Sequence, residues 1–120
     1  MRETRWWLVS LGAAALILVL LVLHFAIMHF SPVFYGQSTE VARSYAEMVS
    51  RGRNSAQFMV YLLLLAAALY HGLYGLRGII LELPGIARWS SVVSGALLVG
   101  GIAFFGYGAY VTWWTFAVAR

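Results

Sequence analysis

The sequence predicts an all-α membrane protein: three transmembrane helices with a short amphipathic interfacial helix between the first and the second. Three observations lead there. Mean hydropathy is +0.83 and 62% of residues are hydrophobic, so the 120-residue chain has too little polar surface to coat a water-soluble globule. Its apolar residues gather in three runs, each as long as the roughly 20 residues that cross a hydrocarbon core of about 30 Å. One substantial polar segment interrupts them. Lipid satisfies no exposed backbone N–H or C=O, so each crossing must be a helix. The chain reads as a single membrane domain over residues 1–120, with spans at about 6–30, 58–83 and 90–118 and an extramembrane loop over 31–57.

The first span follows Arg2 and Arg5, which resemble the charged start of a signal peptide. Its apolar run is longer than the about 7–15 residues of such a peptide, and no small-x-small cleavage site closes it, so it is expected to stay as an anchor. In the loop, Val41, Ala42, Tyr45, Met48 and Val49 recur at one-face helical spacing, with Glu40, Arg43 and Glu47 elsewhere. That pattern predicts one amphipathic helix on the bilayer surface, capped by Ser38 or Thr39 and ended by Gly52. The second span runs into "PGIARWSS", where Pro84 and Gly85 open a tight turn to the third. The third span carries Gly95, Gly100, Gly101, Gly106 and Gly108, with Tyr107, Tyr110, Trp113 and Trp114 toward its end. Glycines let helix backbones approach and Tyr and Trp settle at headgroup level, so packing and anchoring account for this span.

Composition removes several function classes. Without cysteine there is no disulfide framework, no thiolate metal site and no iron–sulfur ligation by this chain. The net charge of +4 comes from eight Arg and no Lys, mostly outside the spans, where they can meet lipid phosphates; nucleic acid is not needed to explain them. Arg2, Arg5 and Arg88 fall on one side and Arg43, Arg51, Arg53 and Arg120 on the other, so charge alone does not orient the protein. The chain has no Asp and four Glu, and it lacks HExxH, a nucleophile elbow and a phosphate-binding glycine loop. Hydrolytic and phosphoryl chemistry have almost nothing to work with.

Ionisable groups inside a span are costly enough to be functional candidates. Here they are His24, His29, His71, Arg77 and Glu82. His71, Gly75, Gly78 and Glu82 share one helical stripe, and Ala67 and Ala68 extend its small-residue surface. An imidazole beside residues with almost no side chain leaves room for something flat and wide. A haem fits, with His71 as axial ligand and the glycines letting the macrocycle lie against the backbone. So does a plain helix contact, with His71 hydrogen-bonded to a neighbouring helix. Arg77 lies roughly 9 Å along the helix from His71, within reach of a propionate but rotated off the stripe. His24 and His29 point about 140° apart on one helix, so they do not serve one cavity. His24 sits within the apolar run and is favoured as a buried ligand; His29, just before Pro32, reads as an interface residue.

"YHGLYGLRGIILEL" resembles the second-helix signature of the small membrane-anchor subunits of succinate dehydrogenase (succinate:quinone oxidoreductase, respiratory complex II): a histidine, then Gly-x-x-Gly-Leu-Arg, then an acidic residue. "LHFAIMHF" resembles the first-helix segment of anchors that hold two haems. The resemblance implies that His71 is the axial ligand of haem b and His24 that of a second haem. It implies that Arg77 meets haem propionates or the quinone region, and the stripe argument adds Gly75 and Gly78 as the residues beside the cofactor. It further implies an integral protein of a bacterial or archaeal cytoplasmic membrane, with the N-terminus and the Pro84 turn on the cytoplasmic side. Counted from those ends, His24 lies some 25 Å deep and His71 some 18 Å, which favours separate haems. The family's acidic residue is usually Asp followed by an aromatic, where this chain has Glu82 and Leu83. Its first-helix Arg-x-Ser-Gly is not met either, since Arg5, Ser10 and Gly12 are spaced differently. Quinone chemistry is therefore expected to rest mainly on the sister anchor, with Glu82, Ser10 and Arg5 as this chain's candidates.

The expected role is a haem b-binding anchor that catalyses nothing alone. Each haem would take one His from this chain and one from a second anchor subunit. An iron–sulfur subunit and a flavoprotein subunit would dock on the pair and send electrons to quinone. A haem-free assembly subunit, whose histidines only pack, is the competing expectation. A small transporter with a His71, Arg77 and Glu82 proton path is a third, and the lack of inverted repeats argues against it.

Overall fold

The computed structural model describes residues 2–34, 36 and 38–118. The first span is helix α1 (Arg2–His29). It stops where Phe30 still bonds back to Ala26 at 2.9 Å and Pro32 has no N–H to extend the ladder. One short turn, α2 (Ser31–Phe34), follows. The loop then differs from expectation: the single amphipathic helix is two, α3 (Thr39–Ala42) and α4 (Tyr45–Gly52). Ser44 makes the break, because its backbone is extended and its hydroxyl accepts the Glu47 N–H at 3.4 Å, which starts a new helix rather than continuing the old one. Val41 and Ala42 therefore do not share a helix with Tyr45, Met48 and Val49. The Ser38 hydroxyl accepts the Val41 N–H at 3.3 Å, in the capping role expected of it. Arg120, counted in the charge balance, lies outside the described residues.

Helix α5 (Ser55–Leu81) opens on an N-cap, Asn54, whose Oδ1 accepts the Ala56 N–H at 2.9 Å. It closes at Glu82, two residues ahead of Pro84, which disfavours helix in the residue before it. Gly85 turns the chain at φ 80°, a left-handed conformation that glycine reaches without strain. A 3-10 turn over Ala87–Trp89 leads into α6 (Ser90–Val118). Three helices, α1, α5 and α6, are long and apolar enough to cross a membrane. By helical rise α5 is roughly 40 Å long, more than the about 30 Å of hydrocarbon it must cross.

Helix α5 is the centre, packed on α1 on one side and on α6 on the other, while α1 and α6 make no substantial contact with each other among the described residues. The α5–α6 contact is a close antiparallel hairpin. A Cβ at Gly101 would stand 2.6 Å from Leu73 Cδ1, and one at Gly108 2.6 Å from Leu65 Cδ2. Gly95, Gly100 and Gly106 face open space, so only two of the five expected packing glycines do that work. At the far end the Phe58 and Phe116 rings meet at 4.9 Å, tilted by 32°, and α4 tucks Gly52 under α6, where a Cβ would meet Thr115 Oγ1 at 3.1 Å. The accessible surface is 8664 Å², against about 6,500 Å² for a water-soluble globule of this mass. The excess is what a row of three helices presents to lipid and partners. Among the described residues only Ser10, Leu20 and Ala67 fall below a tenth exposed, apart from Gly52.

Candidate functional site

The crossing of α1 and α5 brings Ser10 and His71 together, 61 positions apart in sequence. Small Ala67, one turn before His71, is buried at this crossing and lets the backbones approach. His71 Nδ1 lies 3.0 Å from the Ser10 carbonyl oxygen and 3.2 Å from its hydroxyl. A carbonyl can only accept, so the ring proton is on Nδ1 and is donated to Ser10. The lone pair is then on Nε2. One turn toward the α1 N-terminus, the Tyr70 hydroxyl donates to the Trp6 carbonyl at 3.1 Å and fixes the same crossing from the other side.

The rest of the stripe points outward. His71, Gly75, Gly78 and Glu82 are all exposed, and a Cβ at Gly75 or Gly78 would meet nothing within 4 Å. These glycines therefore do not serve helix packing within this chain, unlike Gly101 and Gly108. The outcome is a bare strip of backbone beside an imidazole whose Nδ1–H is occupied and whose Nε2 is available. Such an arrangement suits metal ligation, because a hydrogen bond on one ring nitrogen sets the tautomer and orientation of the other. No group of three His or carboxylate side chains converges among the described residues.

The other candidates are placed elsewhere. His24, half-buried, meets Tyr61 of α5 edge-on at 5.9 Å between ring centroids. Tyr61 and His71 are ten residues apart on α5, roughly 15 Å by helical rise, and His24 and Ser10 fourteen apart on α1, roughly 21 Å. Two imidazoles on one metal ion are bridged by two bonds of about 2 Å each, so these two cannot share one. His29 stacks on Phe25 at 4.3 Å. Arg77 turns away from the stripe: its Nε donates to Ser94 Oγ on α6 at 2.7 Å, and that hydroxyl donates on to the Ser90 carbonyl at 2.7 Å. Arg5 and Glu82 are exposed at the end of the bundle where α1 begins and α5 stops.

Two partners were missing from the sequence reading. Ser10 entered it as a quinone candidate, not as the residue that holds His71, and Ser94 did not enter at all. Hairpin symmetry could have found Ser94: it lies nine residues after Gly85 and Arg77 eight before it, so an antiparallel pair brings them level.

Comparison with known proteins decides the family. The chain is 30% identical, over 109 residues, to the succinate dehydrogenase hydrophobic membrane anchor subunit of Archaeoglobus fulgidus, a match covering 91% of this chain and 87% of that protein. This chain belongs to the succinate dehydrogenase membrane-anchor family. No family profile matches it, and no solved structure does. The three long apolar helices make this anchor subunit an integral membrane protein.

Proposed function

We propose that this anchor subunit binds haem b and, beside a second anchor, holds the flavoprotein and iron–sulfur subunits of a succinate:quinone oxidoreductase to the membrane. The observation that supports the haem is His71, with Nδ1–H committed to the Ser10 carbonyl at 3.0 Å and the ring on an exposed glycine face. When bound, a b-type haem supplies a one-electron relay between the iron–sulfur clusters and quinone. The chain's residues do the rest. Ser10 holds the ring plane and the tautomer, which leaves Nε2 as the ligating nitrogen. Gly75 and Gly78 keep bulk away from the ligand's side of the helix. His24 is the candidate for a second haem, at a depth too different for it to share one with His71. Arg77 is engaged with Ser94 and lies about 120° around α5 from His71, so it is not assigned to this haem. Arg5 and Glu82 are the quinone candidates at the end of the bundle that carries the iron–sulfur subunit. That end, with the N-terminus and the Pro84 turn, is assigned to the cytoplasmic side of a bacterial or archaeal membrane.

The test is the optical spectrum of the detergent-purified complex, with its subunits identified by mass. A reduced b-haem band that disappears in His71→Ala is the expected result. A band that persists unchanged in that variant removes the haem role and leaves a haem-free assembly subunit.

A further inference from the structure

We propose that the groove between α5 and α6 binds one anionic phospholipid, its phosphate on Arg77 and an acyl chain along the groove. The groove is open along its length and measures about 400 Å³, within the about 300–1,000 Å³ of small-molecule sites. Its walls are apolar, with Leu73, Leu97, Ile102 and Phe105 among them, and Arg77 and Ser94 supply its polar end. The hydrogen-bond chain from Arg77 Nε through Ser94 Oγ to the Ser90 carbonyl fixes the guanidinium there. Only Nε is used, so both Nη groups are left to a ligand. Among the described residues no carboxylate pairs with Arg77.

Charge and length identify the occupant. Arg77 stands four residues before Leu81, the last residue of α5, roughly 6 Å inside the helix end. At that depth, level with the edge of the about 30 Å core that the roughly 40 Å helix overshoots at both ends, the guanidinium meets the phosphate layer, and a phosphate both accepts its hydrogen bonds and cancels its charge. A quinone carbonyl would accept a hydrogen bond and leave the charge. From Arg77 to Ala66 the groove follows eleven residues of α5, roughly 16 Å, close to one leaflet's share of the about 30 Å core. Arg88 and Trp89 occupy the adjoining turn, on the headgroup side. This site is independent of the haem reading, since it lies on another face of α5.

The experiment uses the whole complex, stripped of lipid and reconstituted in phosphatidylcholine nanodiscs that carry a minor fraction of phosphatidylglycerol with a photoreactive diazirine on its acyl chain. Adducts are expected on peptides covering residues 66–77 and 94–105, about five-fold above those from a diazirine phosphatidylcholine, the selectivity of one basic residue for anionic lipid. Arg77→Gln should remove that selectivity and Arg88→Gln should not. Leu97→Trp, which fills the groove and keeps the cation, should abolish the adducts. Equal labelling by the two lipids, or labelling indifferent to Arg77→Gln, overturns the proposal. So does a photoreactive quinone that labels these peptides where phosphatidylglycerol does not, or a photocrosslinker at position 102 that captures a partner subunit.

Discussion

Replacing Gly75 or Gly78 by leucine separates a face that serves a cofactor from a face that serves the chain's own packing. A Cβ built at either position meets nothing within 4 Å and both positions are exposed, so a leucine there is expected to leave the contacts of α5 with α1 and α6 in place. Helix propensity moves the other way: glycine is less favourable than alanine or leucine by about 0.8–1.0 kcal/mol in a helix interior. Each variant should therefore fold as well as the parent, or better by up to about 1 kcal/mol. Haem content should fall at least about ten-fold, a loss of about 1.4 kcal/mol or more in binding, because leucine fills the space beside the imidazole. The controls are Gly101→Leu and Gly108→Leu, where the new Cβ would stand 2.6 Å from a leucine methyl, well inside the about 3.5–4.0 Å of a relaxed carbon contact. Those should cost about 1–3 kcal/mol of stability as overpacking. Pyridine-haemochrome content per complex and thermal unfolding in detergent read the two quantities separately. Full haem content in Gly75→Leu and Gly78→Leu would refute the assignment of the cofactor to this face. Loss of folding in them would refute the claim that the face is free.

Ser10→Ala keeps the backbone carbonyl and loses only the 3.2 Å hydroxyl contact, so haem should be retained with a change in stability of about 1 kcal/mol or less; haem loss as complete as in His71→Ala would mean that the hydroxyl, not the carbonyl, holds the ring. His24→Ala should leave the His71-dependent haem band in place, and a spectrum that loses both bands would contradict the roughly 15–21 Å of axial separation. Asn54→Ala removes the N-cap of α5 and should lower stability by about 1 kcal/mol, measured by thermal unfolding of the purified complex. Because the chain has no cysteine, Arg88→Cys and Ser38→Cys give clean single labels. A membrane-impermeant maleimide added from outside the cell should reach Ser38→Cys alone, and the reverse pattern would invert the assigned orientation.

Hydropathy made the three spans legible because lipid enforces one solution on any long apolar run, and Asn54, Pro84 and Gly85 marked the ends of α5 and the turn by local chemistry. The His71 stripe was visible for the same reason: 3.6-residue periodicity fixes which residues share a face without knowledge of the neighbours. What periodicity cannot supply is the rotation of that face. The sequence left open whether Gly75 and Gly78 pack on a helix of this chain, and the open space beside them answered it. Ser10 was invisible as the partner of His71 because their meeting depends on the crossing of α1 over α5, a tertiary relation carried by neither segment. The split of α3 from α4 was missed for a smaller reason: the apolar spacing continued through Ser44, whose hydroxyl competes with the helix it interrupts.

The scarcity of enclosed residues has a consequence for how much of this protein a cell can keep. With the Nε2 edge of His71 and the carboxylate of Glu82 turned outward, a surplus copy would leave both without the partner groups that would otherwise cover them. Such orphans are natural prey for quality-control proteases. Its abundance is thus expected to track that of its binding companions rather than its own rate of synthesis, and a pulse-chase in a strain lacking those companions would reveal it as rapid turnover.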